Sequence, residues 1–274
     1  MKDGTEHEAI EFSISKLNKD LKEASKLLDL HEVRFLVDAY YQMQDDRKRS
    51  TARERQMGNE PHIVISWLAE QSATLERQLK IVLDLFTDTN PVSIWAKSIC
   101  GIGPVISAGL LANIDITRCP TVGHIWSFAG LIPGIKWEKG QKRPYNADFK
   151  TLCAFKIGES FVKVQNLESD IYGKIYAAQK KKYAERNDAG DYAERAKEII
   201  STKRFDKGTI AYKNYAEGKL PPAHIHAMAR RYAAKLFLAH YHEVAYEHHF
   251  GTKPPLPYPI AIMGHAHMIP VPGK

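Results

Sequence analysis

The sequence predicts a mainly all-α fold: a helical arm, an antiparallel coiled-coil hairpin and a compact helical domain with a helix-hairpin-helix element. Three observations predict it. Apolar residues recur at helical spacing through the first 90 residues, a Gly-Ile-Gly-Pro sequence separates two short apolar segments after Pro91, and a long helical stretch runs from Pro221-Pro222 to Phe250. With 274 residues, 44% of them apolar and 26% charged, the chain can bury one large or two small cores.

The first 90 residues are predicted to form an arm (1–30) and a hairpin of two long helices (31–90). The arm carries apolar residues at alternating spacings of four and three, a heptad seam that packs on the rest of the protein or against a second copy: Ile10, Ile14, Leu17, Leu21, Ala24 and Leu28. The sequence Gly58-Asn59-Glu60-Pro61 separates the two hairpin helices. No segment here reads as a strand with spaced acidic residues, so a ribonuclease-H-like nuclease is not predicted.

The region 91–135 contains a candidate phosphate-binding turn. Helices are predicted from Pro91 to Ser98 and from Pro104 to about Ile114, with Gly101-Ile102-Gly103 between them. Glycines allow positive φ and close approach of another backbone, and the free N–H groups that open the second helix point at whatever docks there. A third helix is predicted from Pro120 to Ala129. The same turn could also join two packed helices without any ligand.

The positive charge is concentrated after this turn. Residues 136–235 contain 22 lysines and arginines against 12 aspartates and glutamates, a net charge of +10, whereas residues 1–90 carry −4. In the loop that opens this region, cations alternate with aromatic residues, a pattern that suits neutralisation of a nucleic-acid backbone and stacking of bases. The alternative is a solvated basic face.

Four further segments complete the chain. Asn146 is predicted to cap a helix from Ala147, and a lysine-rich helix follows from Leu167. A polar segment of low core content extends to Lys219, and the long helix to Phe250 precedes a proline-rich, extended tail. The residues predicted to contact nucleic acid are Gly101, Gly103, Lys136, Trp137, Lys139, Lys142, Arg143, Tyr145, Lys150, Lys174, Lys181, Arg230, Arg231 and Lys235.

Histidines and cysteines do not predict a metal site. Eight histidines fall in the last fifty or so residues, including three His-x-His sequences, but residues i and i+2 of a helix point to different faces. Their predicted roles are packing, backbone hydrogen bonds and RNA contacts. The odd number of cysteines, without Cys-x-x-Cys spacing, fits buried thiols in the cytoplasm, and no segment reads as a membrane helix. No cofactor and no catalytic residue are predicted.

The run ICGIGPVISAGLLANIDITRCPTVGHIWSFAGLIPG resembles the C-terminal domain of bridge-RNA-guided insertion-sequence transposases of the DEDD type. The resemblance covers residues 91–163 closely and the long helix around Arg230 more loosely. The arrangement of arm, hairpin and basic helical domain also resembles the Nop-type proteins of box C/D ribonucleoproteins and the Tas proteins of TIGR systems. These resemblances imply a Nop-like nucleic-acid-binding domain at 91–274.

The chain departs from the transposases in two respects. Helices occupy the place of their nuclease-like domain, and the loop 135–150 lacks their nucleophilic serine, since Ser160 and Ser169 lie farther along the chain. The resemblance therefore implies a nuclease-less, Tas-like protein that binds a guide RNA and targets DNA by pairing. Its expected partners are the guide RNA, the target DNA and a second copy of the chain. A separate nuclease that acts in trans is a further possible partner. A divergent transposase and an RNA-independent DNA-binding protein are the alternatives.

Overall fold

The computed structural model describes residues 16–57, 63–134, 137–257 and 269–273, and these residues form helices, turns and irregular segments without β-strands. The predicted all-α class is confirmed. The chain divides into two compact units, Met1–Thr89 and Asn90–Lys274. No helix in the described ranges combines the length and apolarity that crossing a membrane requires.

Unit 1 is built on two long helices that pack along each other. It comprises α1 (Lys19–Ala24), a 3₁₀ turn (Ser25–Leu27), α2 (Leu30–Gln56) and α3 (Ile63–Thr87). Helix α2 is about 40 Å long, and the six residues between α2 and α3 span at most about 20 Å, so two helices in contact along their length run antiparallel. Val33 and Leu83 are fully buried between them.

A polar cluster joins the two helices of unit 1. Arg47 Nε lies 2.5 Å from Glu76 Oε2, and both Tyr40 and Gln44 donate hydrogen bonds to Glu76 Oε1. Burial raises the pKa of Glu76, but the hydrogen bonds from Arg47, Gln44 and Tyr40 outweigh it, and the net pKa lies below its usual value. Glu76 is therefore ionised at neutral pH, and the cluster fixes the register of α2 against α3.

The predicted arm differs from a continuous heptad helix in its described part. Asn18 caps a helix of only six residues, and Asp29 forms a capping box with Glu32 that starts α2 anew. These two N-caps begin two separate helices within a dozen residues, an interruption that the apolar spacing did not reveal. Leu21 is 53% exposed. Ile10 and Ile14 of the predicted seam lie outside the described residues.

Unit 2 contains the remaining helices. They are α4 (Pro91–Ser98), α5 (Pro104–Asn113), a 3₁₀ turn (Ile116–Arg118), α6 (Val122–Phe128), α7 (Ala147–Lys150), a π-helical segment (Thr151–Ile157), α8 (Gly158–Val164), α9 (Tyr172–Asp188), α10 (Ala193–Thr202), α11 (Ile210–Ala216) and α12 (Pro222–Phe250). The predicted ends of the long last helix are confirmed, because Pro222 opens α12 and Gly251, at φ +69°, closes it.

Helix α12 is the central element of unit 2, and α4, α6, α8 and α9 pack around it. Its buried face supplies Phe237 and Tyr241 to an aromatic core with Phe161 of α8 and Tyr172 of α9. The ring centroids of Phe161 and Tyr172 lie 4.8 Å apart in a stacked arrangement. This core fixes the positions of the surrounding short helices.

The segment between α9 and α12 corrects the prediction of low core content. Helices α10 and α11 form a core of their own with the ends of α9 and α12, consisting of Tyr192, Ala196, Tyr215, Leu220 and Ile225. Asn187 seals it with two hydrogen bonds to the backbone of Leu220, at 2.8 and 3.0 Å. The few apolar residues of this segment are widely spaced in sequence, and they come into contact only in the folded protein.

Candidate nucleic-acid interface

The glycine turn between α4 and α5 has the predicted form, but its two glycines differ. Gly101 adopts φ +92°, and a Cβ there would lie 3.0 Å from Ser160 Oγ. Ser160 donates a hydrogen bond to the Gly101 carbonyl. Although Ser160 lies beyond the loop 135–150 in sequence, the fold brings it to the glycine turn. Gly101 is thus required by the backbone and by the close approach of α8.

Gly103 faces open space and caps α5. A Cβ at Gly103 would meet nothing within 4 Å, and its φ of −99° is accessible to any residue. The first intrahelical bond of α5 runs from Ser107 N to Gly103 O, at 3.0 Å. Pro104 has no N–H, and the backbone N–H groups of Val105 and Ile106, in the first turn of α5, have no intrahelical acceptor. The turn therefore presents an open helix N-terminus beside Gly103.

The loop after α6 carries the predicted cations and aromatic residues. Trp137 Nε1 donates to the Gln141 carbonyl at 2.8 Å, which closes a turn, and the Arg143 guanidinium lies 5.0 Å from the centroid of the Trp137 ring. Lys139, Lys142 and Arg143 are exposed. Lys136 lies outside the described residues. The exposed cations and the indole ring thus occupy one short loop.

The end of this loop is fixed to α6. Asn146 N donates to the Phe128 carbonyl at 3.0 Å, and the Tyr145 ring lies where a Cβ at Gly130 would stand, 2.8 Å from its Cγ. Lys150 Nζ lies 4.1 Å from the centroid of the Tyr145 ring. The predicted cap is confirmed, since Asn146 Oδ1 accepts from Phe149 N at 2.9 Å.

Helix α12 separates its three predicted cations. Arg230 is 8% exposed, pairs with Glu159, lies 4.6 Å from the Phe155 ring centroid and packs so tightly on Gly158 that a Cβ there would overlap its Cγ. The Arg230 guanidinium is therefore enclosed by α8 and the π segment, whereas the predicted nucleic-acid contact requires an exposed cation. Arg231 is exposed, one residue farther around the helix.

Lys235 and the α9 lysines have mixed surroundings. Lys235 Nζ lies 4.2 Å from the Trp126 ring centroid, and burial lowers the pKa of Lys235. Lys174 Nζ donates to the Glu168 carbonyl at 2.7 Å, so it is engaged in closing the turn before α9. Lys181 is exposed. The predicted loop residues and Lys235 thus lie at α6 and its loop, whereas Gly101 and Arg230 contact α8 and the two lysines lie on α9.

Sequence reasoning missed two aromatic residues on α6 and one arginine elsewhere on unit 2. Trp126 and Phe128 lie on α6, Trp126 beside Lys235 and Phe128 beside Phe149, and Phe128 is 41% exposed. Arg195 of α10 lies near Arg231 and His224, since burial and the charges of Arg195, Arg231 and Lys203 lower the pKa of His224 to about 4. The signal for Trp126 and Phe128 was their position in the run of the glycine motif.

His240 and His242 of α12 are buried and hydrogen-bonded, in keeping with the packing and backbone roles predicted for the histidines, whereas His248 and His249 are exposed. Tyr172 Oη lies 2.6 Å from His240 Nδ1, and His240 Nε2 lies 2.9 Å from the Ile269 carbonyl. His242 Nε2 lies 2.7 Å from the Cys119 carbonyl. Within the described ranges no cluster of three or more His, Cys, Asp or Glu side chains could hold a metal ion. Of the cysteines, all free, Cys153 is buried and Cys100 and Cys119 are partly exposed.

Comparison with known proteins gives one match. Residues 95–138 match the family described as Transposase IS116/IS110/IS902 family. The matched segment contains the glycine turn, α5, α6 and the start of the basic loop, and it is a small part of the chain. No curated protein and no solved structure matches the chain significantly. Unit 2 thus carries a transposase-related segment.

Proposed function

We propose that this protein binds a guide RNA and targets DNA by RNA–DNA pairing, without a nuclease activity of its own. The observation that carries the proposal is the grouping of cations, exposed in the loop, and aromatic rings around α6 and its loop, inside and next to the transposase-related segment. In such a complex base pairing reads the sequence, while the protein holds backbone and shape.

The chemistry of this surface suits a nucleic-acid strand. Exposed Lys139, Lys142 and Arg143 supply charge for phosphates, and Trp137 offers a ring face beside them. Each cation that neutralises a phosphate adds salt-dependent affinity, and each ring that stacks on a base adds affinity that depends little on sequence. The open N-terminus of α5 at Gly103 is a further place for a phosphate.

The guide RNA is tested by analysing the nucleic acid that co-purifies with the protein. We expect ribonuclease-sensitive material of uniform length that directs binding to complementary DNA. Co-purifying RNA of random length, or DNA binding that is unchanged after ribonuclease treatment, would contradict the guide and favour the RNA-independent DNA-binding alternative.

The basic loop is tested by replacing Lys139, Lys142 and Arg143 together with alanine. We expect weaker binding of nucleic acid and a slope of log affinity against log salt that falls by about one unit for each lost phosphate contact. The matched control removes the same charge from unit 1, as Lys19→Ala, Lys22→Ala and Arg53→Ala. An unchanged slope in the loop variant would show that these residues do not contact phosphate.

A divergent transposase that cuts and joins DNA is the second candidate, and the family match favours it. Tyr145 is the hydroxyl-bearing residue of the described loop that could act as a nucleophile, although its ring is packed on Gly130. The purified complex is incubated with a supercoiled plasmid carrying a matched target and Mg²⁺ or Mn²⁺. We expect binding without nicking. A covalent adduct lost in Tyr145→Phe, or metal-dependent cleavage lost in an acidic-residue variant, would establish the transposase instead.

A further inference from the structure

A small cleft lies on unit 2 between the end of α5, the following 3₁₀ turn and α6. Its floor is apolar, with Ile125 at 1% exposure and Ile114 half-buried. Its rim is exposed and carries Phe128, Asp115, Arg118 and His124. An apolar floor with a few polar groups around it is the usual composition of a small-molecule site.

The size of the cleft limits what it can hold. Its volume is about 190 Å³. Sites for drug-sized ligands have volumes of roughly 300–1,000 Å³, so this cleft suits one planar ring system rather than a whole nucleotide. Phe128 is 41% exposed, and its ring offers one face of aromatic surface to such a group.

Asp115 gives the cleft a directional polar group. Hydrogen bonds from Thr117, together with the nearby charges of Arg118 and His249, hold the pKa of Asp115 below its usual value. The carboxylate is therefore ionised and acts only as an acceptor. Its Oδ1 accepts from Thr117 N at 3.1 Å and Thr117 Oγ1 at 2.6 Å, which orients the side chain. A group bound here must bring hydrogen-bond donors to Asp115.

Phe128 links the cleft to the basic loop. Its carbonyl accepts from Asn146 N at 3.0 Å, and its ring centroid lies 5.1 Å from that of Phe149. Tyr145 directly precedes Asn146, and Lys150 Nζ lies 4.1 Å from the centroid of the Tyr145 ring, so the loop's charged and aromatic groups meet Phe128 at Asn146. A strand whose phosphates lie along the loop thus passes beside Phe128.

We propose that this cleft holds a single unstacked nucleobase of the bound strand, with its face on Phe128 and a donor edge, such as an exocyclic amino group, toward Asp115. The inference rests on the proposed nucleic-acid-binding function and adds a base site to it. Single strands are recognised by stacking unpaired bases on aromatic side chains and by hydrogen bonds to their edges. A carboxylate accepts from the amino groups of bases and rejects an edge that offers acceptors alone.

The test uses the protein and two short strands, an oligouridine RNA and an oligodeoxyuridine DNA. Each strand carries one central 2-aminopurine. Stacking in the cleft is expected to quench the fluorescence of the 2-aminopurine. Phe128→Leu keeps apolar contacts but removes the ring, so we expect loss of the quench and about tenfold weaker binding. The two strand types show whether RNA, DNA or both supply the base.

Asp115→Asn provides a second variant that retains the cap of the 3₁₀ turn. We expect the wild-type protein to prefer 2-aminopurine over unsubstituted purine, which lacks the exocyclic amino group, at the central position by several-fold. The variant is expected to lose that preference while its thermal unfolding stays unchanged. Phe155→Leu, at an exposed phenylalanine on the π segment, is the matched control and is expected to bind as the wild type does.

The outcomes separate the two claims. If Phe128→Leu and Asp115→Asn both bind and quench as the wild type does, while the loop variant lacking Lys139, Lys142 and Arg143 loses affinity, the base site is wrong and the nucleic-acid-binding function stands. If the wild-type protein binds neither strand and co-purifies with no nucleic acid, both fail. An equal effect of Phe155→Leu would show that ring loss acts through packing, and the base site would again be wrong.

Discussion

The two glycines of the α4–α5 turn have different physical requirements, which predicts different effects of substitution. Gly103→Val places a side chain in open space at a φ that valine accepts, so we expect a folded protein with weaker nucleic-acid binding because bulk blocks the N-terminus of α5. Gly101→Ala forces a Cβ into a left-handed backbone and against Ser160 Oγ, which should destabilise the protein by about 1–2 kcal/mol. Urea unfolding and filter binding of both variants separate the effects. If Gly103→Val binds normally, the turn has only a packing role.

Arg230 and Arg231 are adjacent and are expected to behave oppositely. Arg230→Met removes the guanidinium that pairs with Glu159 and leaves His226 Nε2, 3.6 Å away, beside that carboxylate. The free energy of unfolding should fall by about 2 kcal/mol, because Glu159 is half-exposed and water compensates in part. Arg231→Ala removes an exposed cation beside Arg195, so stability should change by less than about 0.5 kcal/mol while nucleic-acid affinity falls. Equal losses of stability in the two variants would contradict this division.

The sequence could not separate these two arginines. Neighbouring residues on a helix lie about 100° apart, and only the residues packed on α12 decide which of the two is enclosed. The decisive feature is Gly158, where the missing side chain leaves room for the Arg230 stem, and Gly158 lies more than seventy residues earlier in the chain. The left-handed backbone of Gly101, by contrast, could be predicted, because a Gly-x-Gly-Pro turn carries that requirement locally.

At the scale of elements, local start and stop signals identified several helix boundaries. Pro91 with Asn90 before it, Pro104, Asn146 and Gly251 each mark a boundary through their own backbone chemistry. Helices α10 and α11 were missed because their stability comes from Tyr192, Tyr215 and Ile225, which meet only after α9 and α12 are in place. The π-helical segment Thr151–Ile157 likewise has no local sequence signal.

Helix α3 of unit 1 presents apolar side chains to solvent, which bears on the proposed homodimer. Leu68 and Leu75 are seven residues apart on one face of α3 and are 45% and 38% exposed. If a second copy packs there, Leu68→Asp with Leu75→Asp places charges in the interface, and light scattering should report a monomer. Lys80→Asp, on the same helix, is the control and should leave the mass unchanged.

The arm makes a separate contribution to the same question. Ile14→Asp with Leu21→Asp tests the heptad seam predicted from the sequence, of which Leu21 is exposed in the structure. A dimer lost only in the α3 variant assigns the interface to α3, and a dimer lost only in the arm variant assigns it to the seam. A wild-type protein with the mass of one chain removes the homodimer from the proposal.

For the molecule as a whole, buried histidines predict that stability falls in weak acid. Burial, together with Arg195, Arg231 and Lys203, lowers the pKa of His224 to about 4, and burial also lowers the pKa values of His240 and His242. Unfolded histidines take up protons near pH 6.5, whereas these folded ones stay neutral. The stability is therefore fully present above about pH 6.5 and is lost progressively as the pH falls toward 4, by about 2 kcal/mol for His224 alone.

Urea unfolding between pH 7 and pH 5 measures this effect before carboxylates titrate. His224→Gln keeps an acceptor for the Tyr215 hydroxyl and should flatten the dependence on pH, with the part due to His240 and His242 remaining. His248→Gln, at an exposed position on the same helix, is the matched control. If the wild-type protein has the same free energy of unfolding at pH 7 and pH 5, protonation of these imidazoles does not destabilise the folded state, and the prediction is wrong.

The hydrogen bond from Trp95 Nε1 to the Pro272 carbonyl, 2.9 Å long, has a consequence for how unit 2 can be rearranged. Trp95 lies in the first helix of this unit and Pro272 near the far end of the chain, so the two ends of unit 2 are spatial neighbours. Domains whose ends meet tolerate circular permutation and insertion into loops of other proteins. Unit 2 therefore has a geometry that suits circular permutation. A short linker could join the two neighbouring segments, and new termini could be placed in an exposed turn such as that at Gly190, with the α12 core left intact.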